Sequence, residues 1–274
     1  YVLYYQLNKA KAFEGNQIVL VEPIGLLMGF LLMPLNWTLE GLKWRSILQK
    51  FQKRVGLKTL LFSLFTGISM SLFTPNRAGN FIGRMIWFGS AIRVQVSVLS
   101  IYGNVAQWLS SIIFGVIGIG MGTFFIFPKI NTTYLIISSL LIIGVIILYL
   151  IPYWIPQFLS KYIFTRNMTH AARVLKEHHS LKWELLILSL FRHFVFSMQF
   201  ALIMFAFGIS FNKDLIFAVW ITYFVMTLIP SPLFGKLLLR ESAALLVIGT
   251  LSDNSTVILL SSIILWFINL SIPA

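Results

Sequence analysis

The chain has 274 residues, of which 58% are hydrophobic and 11% are charged, and its mean hydropathy is +0.88. The charged share is less than half the roughly 25% typical of a soluble domain, which excludes a water-soluble fold and leaves apolar sequence for roughly seven or eight membrane helices. The excess of 21 Lys and Arg over 8 Asp and Glu indicates basic cytoplasmic loops rather than nucleic-acid binding, and the absence of cysteine excludes disulfides and thiolate metal sites.

Apolar runs separated by polar residues predict helices along the whole chain. We interpret residues 1–7 as the end of an earlier helix, so that 1–274 is expected to be one N-terminally incomplete membrane domain. Two basic segments lie between the apolar runs: residues 41–58, expected to form a helix along the membrane interface, and residues 157–182. Full-length spans are predicted at residues 23–39, 105–127, 134–156, 183–207 and 256–272.

Two further apolar segments are too short to cross a bilayer. Residues 60–73 and 215–229 each stop at a turn that contains proline, and each is followed by a second short piece, 80–92 or 233–250. A helix of about 15 residues is only about 22 Å long, against about 30 Å of hydrocarbon, and proline interrupts a helix. We therefore predict a re-entrant broken-helix hairpin in each half of the chain. The residues assigned to the breaks are Pro75, Asn76, Gly79, Pro230, Pro232 and Gly235.

The charges support this topology. With two hairpins, twelve of the 21 Lys and Arg fall on one side of the membrane and four on the other, so the basic side is predicted to be cytoplasmic, in a bacterial inner membrane. The first hairpin then enters from the cytoplasm and the second from outside. Because both breaks carry proline, glycine and arginine at spacings of four or five residues, we predict an inverted repeat with halves at about 18–127 and 134–272.

The cations left at membrane depth are the candidate site. An arginine near the bilayer centre costs about 2.5–3.5 kcal/mol, which is tolerated where it faces a cavity, a partner or an anion. We predict that Arg77, Arg84 and Arg240 line a polar cavity near the hairpin tips, where helix N-termini restarting at the glycines add N–H donors for a phosphate group. The residues assigned to this headgroup cavity are Arg77, Arg84, Arg240, Glu241, Lys236 and Arg192.

Pairing is the alternative for these charges. The arginines could instead extend to the interface or pair with Glu40 or Glu241, and Arg84 is the strongest case for pairing. We interpret Glu241 as a partner of Arg192 in preference to a protonatable coupling group. Asn36, Glu40 and Trp44 share one helix face, which predicts a structural role, with Asn36 bonded to another helix. No residue pattern indicates a cofactor or a metal.

Three segments together resemble a known family. They are Asn36-Trp37 through Glu40 to Lys43-Trp44-Arg45, the stretch from Phe73 to Asn80, and Ile229-Pro230-Ser231-Pro232 through Gly235 to Arg240-Glu241. They resemble the lysylphosphatidylglycerol synthase transmembrane (flippase-like) family, which includes the membrane half of the multiple peptide resistance factor. The chain departs from the family's usual residues at Asn76, Asn80, Phe234 and Leu237. The resemblance implies about eight helices and movement of a lipid between leaflets, without aminoacyl transfer.

The favoured function is therefore a flippase-like transporter and not an enzyme. Its expected partners are membrane lipids, either an anionic phospholipid or a polyprenyl phosphate. One alternative is a membrane-embedded transferase acting on lipid-linked substrates, with Glu241 or His193 as general base. The other is a non-transporting partner of a cell-envelope enzyme.

Overall fold

A computed structural model describes a large part of the chain. The described residues are 19–50, 55–72, 74, 79–122, 136, 139–140, 143–144, 146–147, 149–150, 173–229 and 235–273. Several predictions lie outside them: the breaks at Pro75, Asn76, Pro230 and Pro232, the site residue Arg77, and most of the span predicted at 134–156. The side chain of Lys236 also lies outside the described part, although its backbone is helical.

Helices are the only regular elements in the described residues, which confirms the predicted all-α fold class. In chain order they are α1 (Pro23–Leu48), α2 (Leu57–Leu72), α3 (Gly79–Met85), α4 (Ser90–Gly122), α5 (His179–Ala206), α6 (Lys213–Leu228), α7 (Gly235–Val247) and α8 (Ser255–Trp266). A 3₁₀ turn (Ile248–Thr250) follows α7, and a π turn (Phe267–Ser271) follows α8.

Within the described part of the chain, three helices are long and apolar enough to cross a bilayer. Their spans are Pro23–Leu48, Leu99–Met121 and His179–Ala206. The 26 residues of α1 give a length of about 39 Å, more than the hydrocarbon core of about 30 Å. Large apolar side chains remain exposed on these helices, Leu31 and Phe191 both at 61%. Such surfaces suit hydrocarbon and not water, so the chain is an integral membrane protein.

The two short, broken elements are helical on both sides of their breaks, as predicted. The pieces α2 and α3 precede and follow the first break, and α6 and α7 the second. Within the first element the backbones of α2 and α3 pack closely: a Cβ on Gly83 would lie 2.5 Å from the Thr66 carbonyl oxygen. Glycine is therefore needed at position 83. The side from which each element enters the membrane, and the inverted repeat, stay predictions.

Three predicted boundaries are wrong. Helix α1 continues through residues 41–48, which were expected to begin an interfacial helix, because Trp44, Ile47 and Leu48 are buried and extend its packed face. Helix α4 begins at Ser90 and not near residue 105. Its polar residues do not stop it, because hydroxyls such as that of Ser100 bond carbonyls one turn back. Residues 173–177, in the predicted basic loop, are helical.

The chain forms two compact units. Unit 1 comprises Tyr1–Asn36, Ser111–Ser139 and His193–Ile272, and unit 2 comprises Trp37–Ser110, Leu140–Arg192 and Pro273–Ala274. The first broken element lies in unit 2 and the second in unit 1. The units interleave along the sequence, so they differ from the half-repeats predicted at 18–127 and 134–272, and that division stays a prediction.

Candidate functional site

A buried carboxylate in unit 2 binds three cations. Arg84 Nη2 donates to Glu40 Oε1 at 2.5 Å, Arg192 Nη1 donates to Glu40 Oε2 at 2.8 Å, and Lys43 Nζ lies 3.5 Å from Oε2. The side chains of Glu40, Lys43 and Arg84 are 4–7% exposed, whereas that of Arg192 is 20% exposed. We call these four residues the Glu40 cluster. The pairing of Arg84 with Glu40, left open by the sequence, is confirmed.

Three helices position the cluster. Glu40 and Lys43 are three residues apart on α1, which places them one above the other on the same face. Arg84 lies in the last turn of the short helix α3, whose close packing on α2 fixes its position. Arg192 comes from α5 and also donates to Gln107 Oε1 on α4 at 3.4 Å. The site is therefore assembled from residues distant in sequence.

Aromatic rings surround the buried part of the cluster. The Arg84 guanidinium carbon lies 5.0 Å from the centre of the Trp44 ring, a cation–π distance. Trp44 is held in place by donating from Nε1 to Ser63 Oγ at 2.7 Å, and by an edge contact with Phe88. Arg84 Nε is buried and has no hydrogen-bond partner among the described residues. One strong donor of this guanidinium therefore remains available.

The cluster concentrates positive charge. Three cations share the single Glu40 carboxylate. Charges removed from water are costly unless they are paired, and the surrounding low dielectric strengthens their attraction for an anion. Guanidinium groups bind phosphate with two parallel hydrogen bonds, whereas an ammonium acts as a point charge. The arrangement therefore suits a phosphate-bearing ligand.

An apolar groove lies on two of the three helices that carry the cluster, α1 and α5. It has a volume of about 570 Å³ and is lined by Leu42, Ser180, Trp183, Glu184, Ile187 and Leu188. Leu188 lies one turn before Arg192 on α5, so the two residues share one face of that helix. Glu184 lies about 12 Å from Arg192 along α5 and accepts from Ser46 Oγ at 2.5 Å.

The second buried arginine, in unit 1, has neutral partners. Arg240 Nε donates to Ser262 Oγ and Nη2 donates to the Ser262 carbonyl oxygen, both at 2.7 Å. In the part of the chain that is described, no carboxylate oxygen lies within salt-bridge distance of Arg240. Glu241 is buried, and its Oε1 has no hydrogen-bond partner there. The carboxylate that Arg192 binds is Glu40, whereas the sequence favours Glu241.

His193 is enclosed by aromatic rings in unit 1. It is fully buried, stacks on Phe114 at 4.8 Å between ring centres, and contacts Phe196 and Tyr223 edge-on. The Ser111 hydroxyl lies 3.2 Å from its Nδ1. This environment packs the imidazole among aromatic rings, and its role as general base in the transferase alternative stays a prediction.

A chain of side-chain amides links three helices of unit 1. Asn36 Nδ2 donates to Asn269 Oδ1 at 2.5 Å, Asn269 Nδ2 donates to Gln199 Oε1 at 3.1 Å, and Gln199 Nε2 donates to the Gly29 carbonyl oxygen at 3.0 Å. The prediction that Asn36 bonds to another helix is confirmed.

The structure brings together some predicted site residues and adds others. Arg84 and Arg192 meet at Glu40, while Arg240 and Glu241 belong to unit 1. Gly79 and Gly235 each begin a helix, as predicted for the breaks, and the Gly79 N–H donates to Thr74 Oγ1 at 2.6 Å. Sequence reasoning missed Lys43 as a site residue and gave Glu40 only a structural role. The sequence did contain a signal for Glu40: it is a single acidic residue between an apolar run and a basic segment, which favours pairing with a nearby cation.

These observations define an integral membrane protein in which three cations share one buried carboxylate. The family model described as "Lysylphosphatidylglycerol synthase TM region" matches residues 15–272, and the chain belongs to this family. The resemblance noted from three sequence segments is thereby confirmed. The family indicates a lipid-related membrane protein. Comparison with curated proteins and with solved structures gave no match.

Proposed function

We propose that the protein binds the phosphate of a membrane lipid at the Glu40 cluster and moves the lipid between leaflets of a bacterial inner membrane. The three cations that converge on the buried Glu40 carboxylate carry this proposal. Charged side chains kept within a membrane protein are costly and typically mark the path of a substrate or an ion. A lipid phosphate is the anion that a bilayer supplies in quantity.

The groove beside the cluster supports a lipid rather than a soluble anion. Its lining is mostly apolar and includes Leu188, one turn before Arg192 on α5. A hydrocarbon chain in this groove would place the headgroup phosphate next to the partly exposed Arg192. A fixed phosphate site together with an open apolar groove lets the polar headgroup enter the protein while the acyl chains stay in the bilayer.

The remaining predicted residues extend the proposal. Arg77 in unit 2, and Lys236 and Arg240 in unit 1, are proposed as further contacts for a lipid headgroup, each within its own unit. Glu241 is proposed to set the charge beside Arg240. Of the two broken elements, α7, which restarts at Gly235, is proposed to offer free N–H donors, because the Gly79 N–H at the start of α3 already donates to Thr74 Oγ1.

The experiment is a lipid-transfer measurement. The protein is reconstituted into vesicles that contain fluorescent phosphatidylglycerol, and transfer to the outer leaflet is followed by chemical quenching. Arg192→Gln should slow transfer about tenfold, because one charge-assisted contact contributes about 1.5–3 kcal/mol. Arg45→Gln, at an exposed cation on α1, is the matched control and should leave transfer unchanged.

Two outcomes would contradict this function. Equal transfer by wild type and Arg192→Gln would remove the cluster from the transport path. A lipid recovered with a changed mass after incubation would instead indicate the membrane-embedded transferase, whereas a changed leaflet with an unchanged mass supports transport.

A further inference from the structure

We propose that Glu40 exchanges partners when the lipid phosphate binds. In the structure Glu40 Oε2 accepts from Arg192 Nη1 at 2.8 Å, while Oε1 accepts from Arg84 Nη2 at 2.5 Å. The phosphate takes the place of Oε2 at Arg192, and the released carboxylate then binds Arg84 through both of its oxygens. This inference rests on the proposed function and adds how the same site responds to its ligand.

Arg84 offers the position that the released carboxylate takes. The N–H groups of Nε and Nη2 lie on the same edge of a guanidinium, and a carboxylate bridges such an edge with two parallel hydrogen bonds. Glu40 binds Nη2, whereas the buried Nε has no hydrogen-bond partner among the described residues. A buried donor without an acceptor is costly, so a second carboxylate oxygen at Nε is favourable. The structure therefore contains one half of a two-bond pair.

Two other cations engage the second carboxylate oxygen. Glu40 Oε2 is bound by Arg192 and lies 3.5 Å from Lys43 Nζ. The terminal torsion of a glutamate side chain has a broad energy profile, so turning the carboxylate about its last bond costs little. Lys43 has a flexible stem and lies one turn from Glu40 on α1, so its ammonium follows either oxygen. The contact with Arg192 is therefore the one that decides how the carboxylate is turned.

Arg192 is the cation for which Glu40 and a ligand compete. Its side chain is 20% exposed, against 6% for Arg84 and 4% for Lys43, so it is the most accessible of the three. A phosphate and a carboxylate are both anionic acceptors for the same guanidinium. The exchange requires only that the Arg192–Glu40 contact breaks, and the Arg192 contact with Gln107 Oε1 remains. Ligand binding then releases α5 from Glu40 and strengthens the contact between α1 and α3.

Nuclear magnetic resonance of the arginine Nε–H groups tests the exchange directly. The full chain, with isotope-labelled arginine in detergent micelles, is titrated with dioctanoyl phosphatidylglycerol, and Arg84→Lys identifies the Arg84 signal by its loss. We expect this proton signal to move downfield and its exchange with water to slow about tenfold, because Nε gains a charged acceptor. Dioctanoylglycerol, which has the same acyl chains and no phosphate, is the matched control and should leave the signal unchanged.

Glu40→Gln separates competition from support. An amide is uncharged and has one acceptor oxygen, so it competes weakly for Arg192 and cannot bridge both donors of Arg84. We expect this variant to bind phosphatidylglycerol more tightly than wild type, by up to about tenfold, because no charge-assisted contact has to be broken. Glu22→Gln, at an exposed carboxylate, is the control and should bind as wild type does. Weaker binding by Glu40→Gln would overturn the exchange.

Three outcomes with the wild-type protein hold even if Glu40→Gln does not fold. Phosphatidylglycerol binding with an unchanged Arg84 signal would overturn the exchange and leave the proposed lipid site intact. Absence of binding would overturn the proposed function itself. Inorganic phosphate is the further probe: an equal shift of the Arg84 signal at the same concentration would overturn a lipid as the occupant and show a free-phosphate site.

Discussion

The two buried arginines with described side chains are stabilised in different ways. In unit 2, Arg84 binds the Glu40 carboxylate and lies over the Trp44 ring, and two further cations share the same carboxylate. In unit 1, Arg240 binds the hydroxyl and carbonyl of Ser262. A carboxylate fixes several cations at one point and concentrates positive charge there, whereas neutral oxygens satisfy a single guanidinium. This difference favours the Glu40 cluster as the main contact of the proposed ligand site.

Removing the shared carboxylate should have the largest effect. Glu40→Gln removes the carboxylate that Lys43, Arg84 and Arg192 share, which should destabilise the protein by about 3–5 kcal/mol. Thermal unfolding in detergent measures this, with Glu22→Gln, at an exposed carboxylate, as the control. Anionic lipid should restore more stability to Glu40→Gln than to wild type. A midpoint equal to that of Glu22→Gln would show that the carboxylate does not hold the cluster together.

Removing one neutral partner of Arg240 should have an intermediate effect. Ser262→Ala deletes the acceptor of Nε and keeps the carbonyl, so we expect a loss of about 1.5–3 kcal/mol, the range for hydrogen bonds to charged groups. Ser261→Ala is a matched control, because Ser261 is fully buried on the same helix and its hydroxyl has no hydrogen-bond partner among the described residues. If both variants unfold at the same temperature, Ser262 does not stabilise the buried charge.

The smallest effect is expected in the uncharged amide chain. Asn269→Ala breaks the contacts with Asn36 and Gln199, and hydrogen bonds between membrane helices average about 0.6 kcal/mol. A double-mutant cycle with Gln199→Leu, followed by unfolding in sodium dodecyl sulfate, measures the coupling between the two side chains. A coupling as large as the Ser262→Ala effect would show that neutral and charged contacts contribute equally here.

Much of the fold follows from local sequence. The short pieces α6, α7 and α8 fall within a few residues of their predicted ranges, because proline at the breaks and polar residues such as Asn212 and Asn254 mark their ends. Helices α1 and α4 are longer than predicted. The prediction ended or started them at charged residues such as Lys43 and Arg93, which suggested a boundary with water, but the packing of the neighbouring side chains lets each helix continue past these residues.

The sequence alone determined the class of protein. Apolar runs longer than a bilayer, scarce charges and an excess of Lys and Arg require membrane helices, whatever the details of packing, because burying backbone in hydrocarbon forces helical hydrogen bonding. It also identified Arg84 and Arg192 as cations at an unusual depth.

Only the tertiary structure decided what those cations do. Glu40, Arg84 and Arg192 are separated by 44 and 108 residues along the chain, and a charge interacts with whatever packing brings within a few ångströms of it. Three helices place these side chains together at one carboxylate. Helical periodicity can predict which face of a helix a residue occupies, but it contains no information on which helix that face contacts.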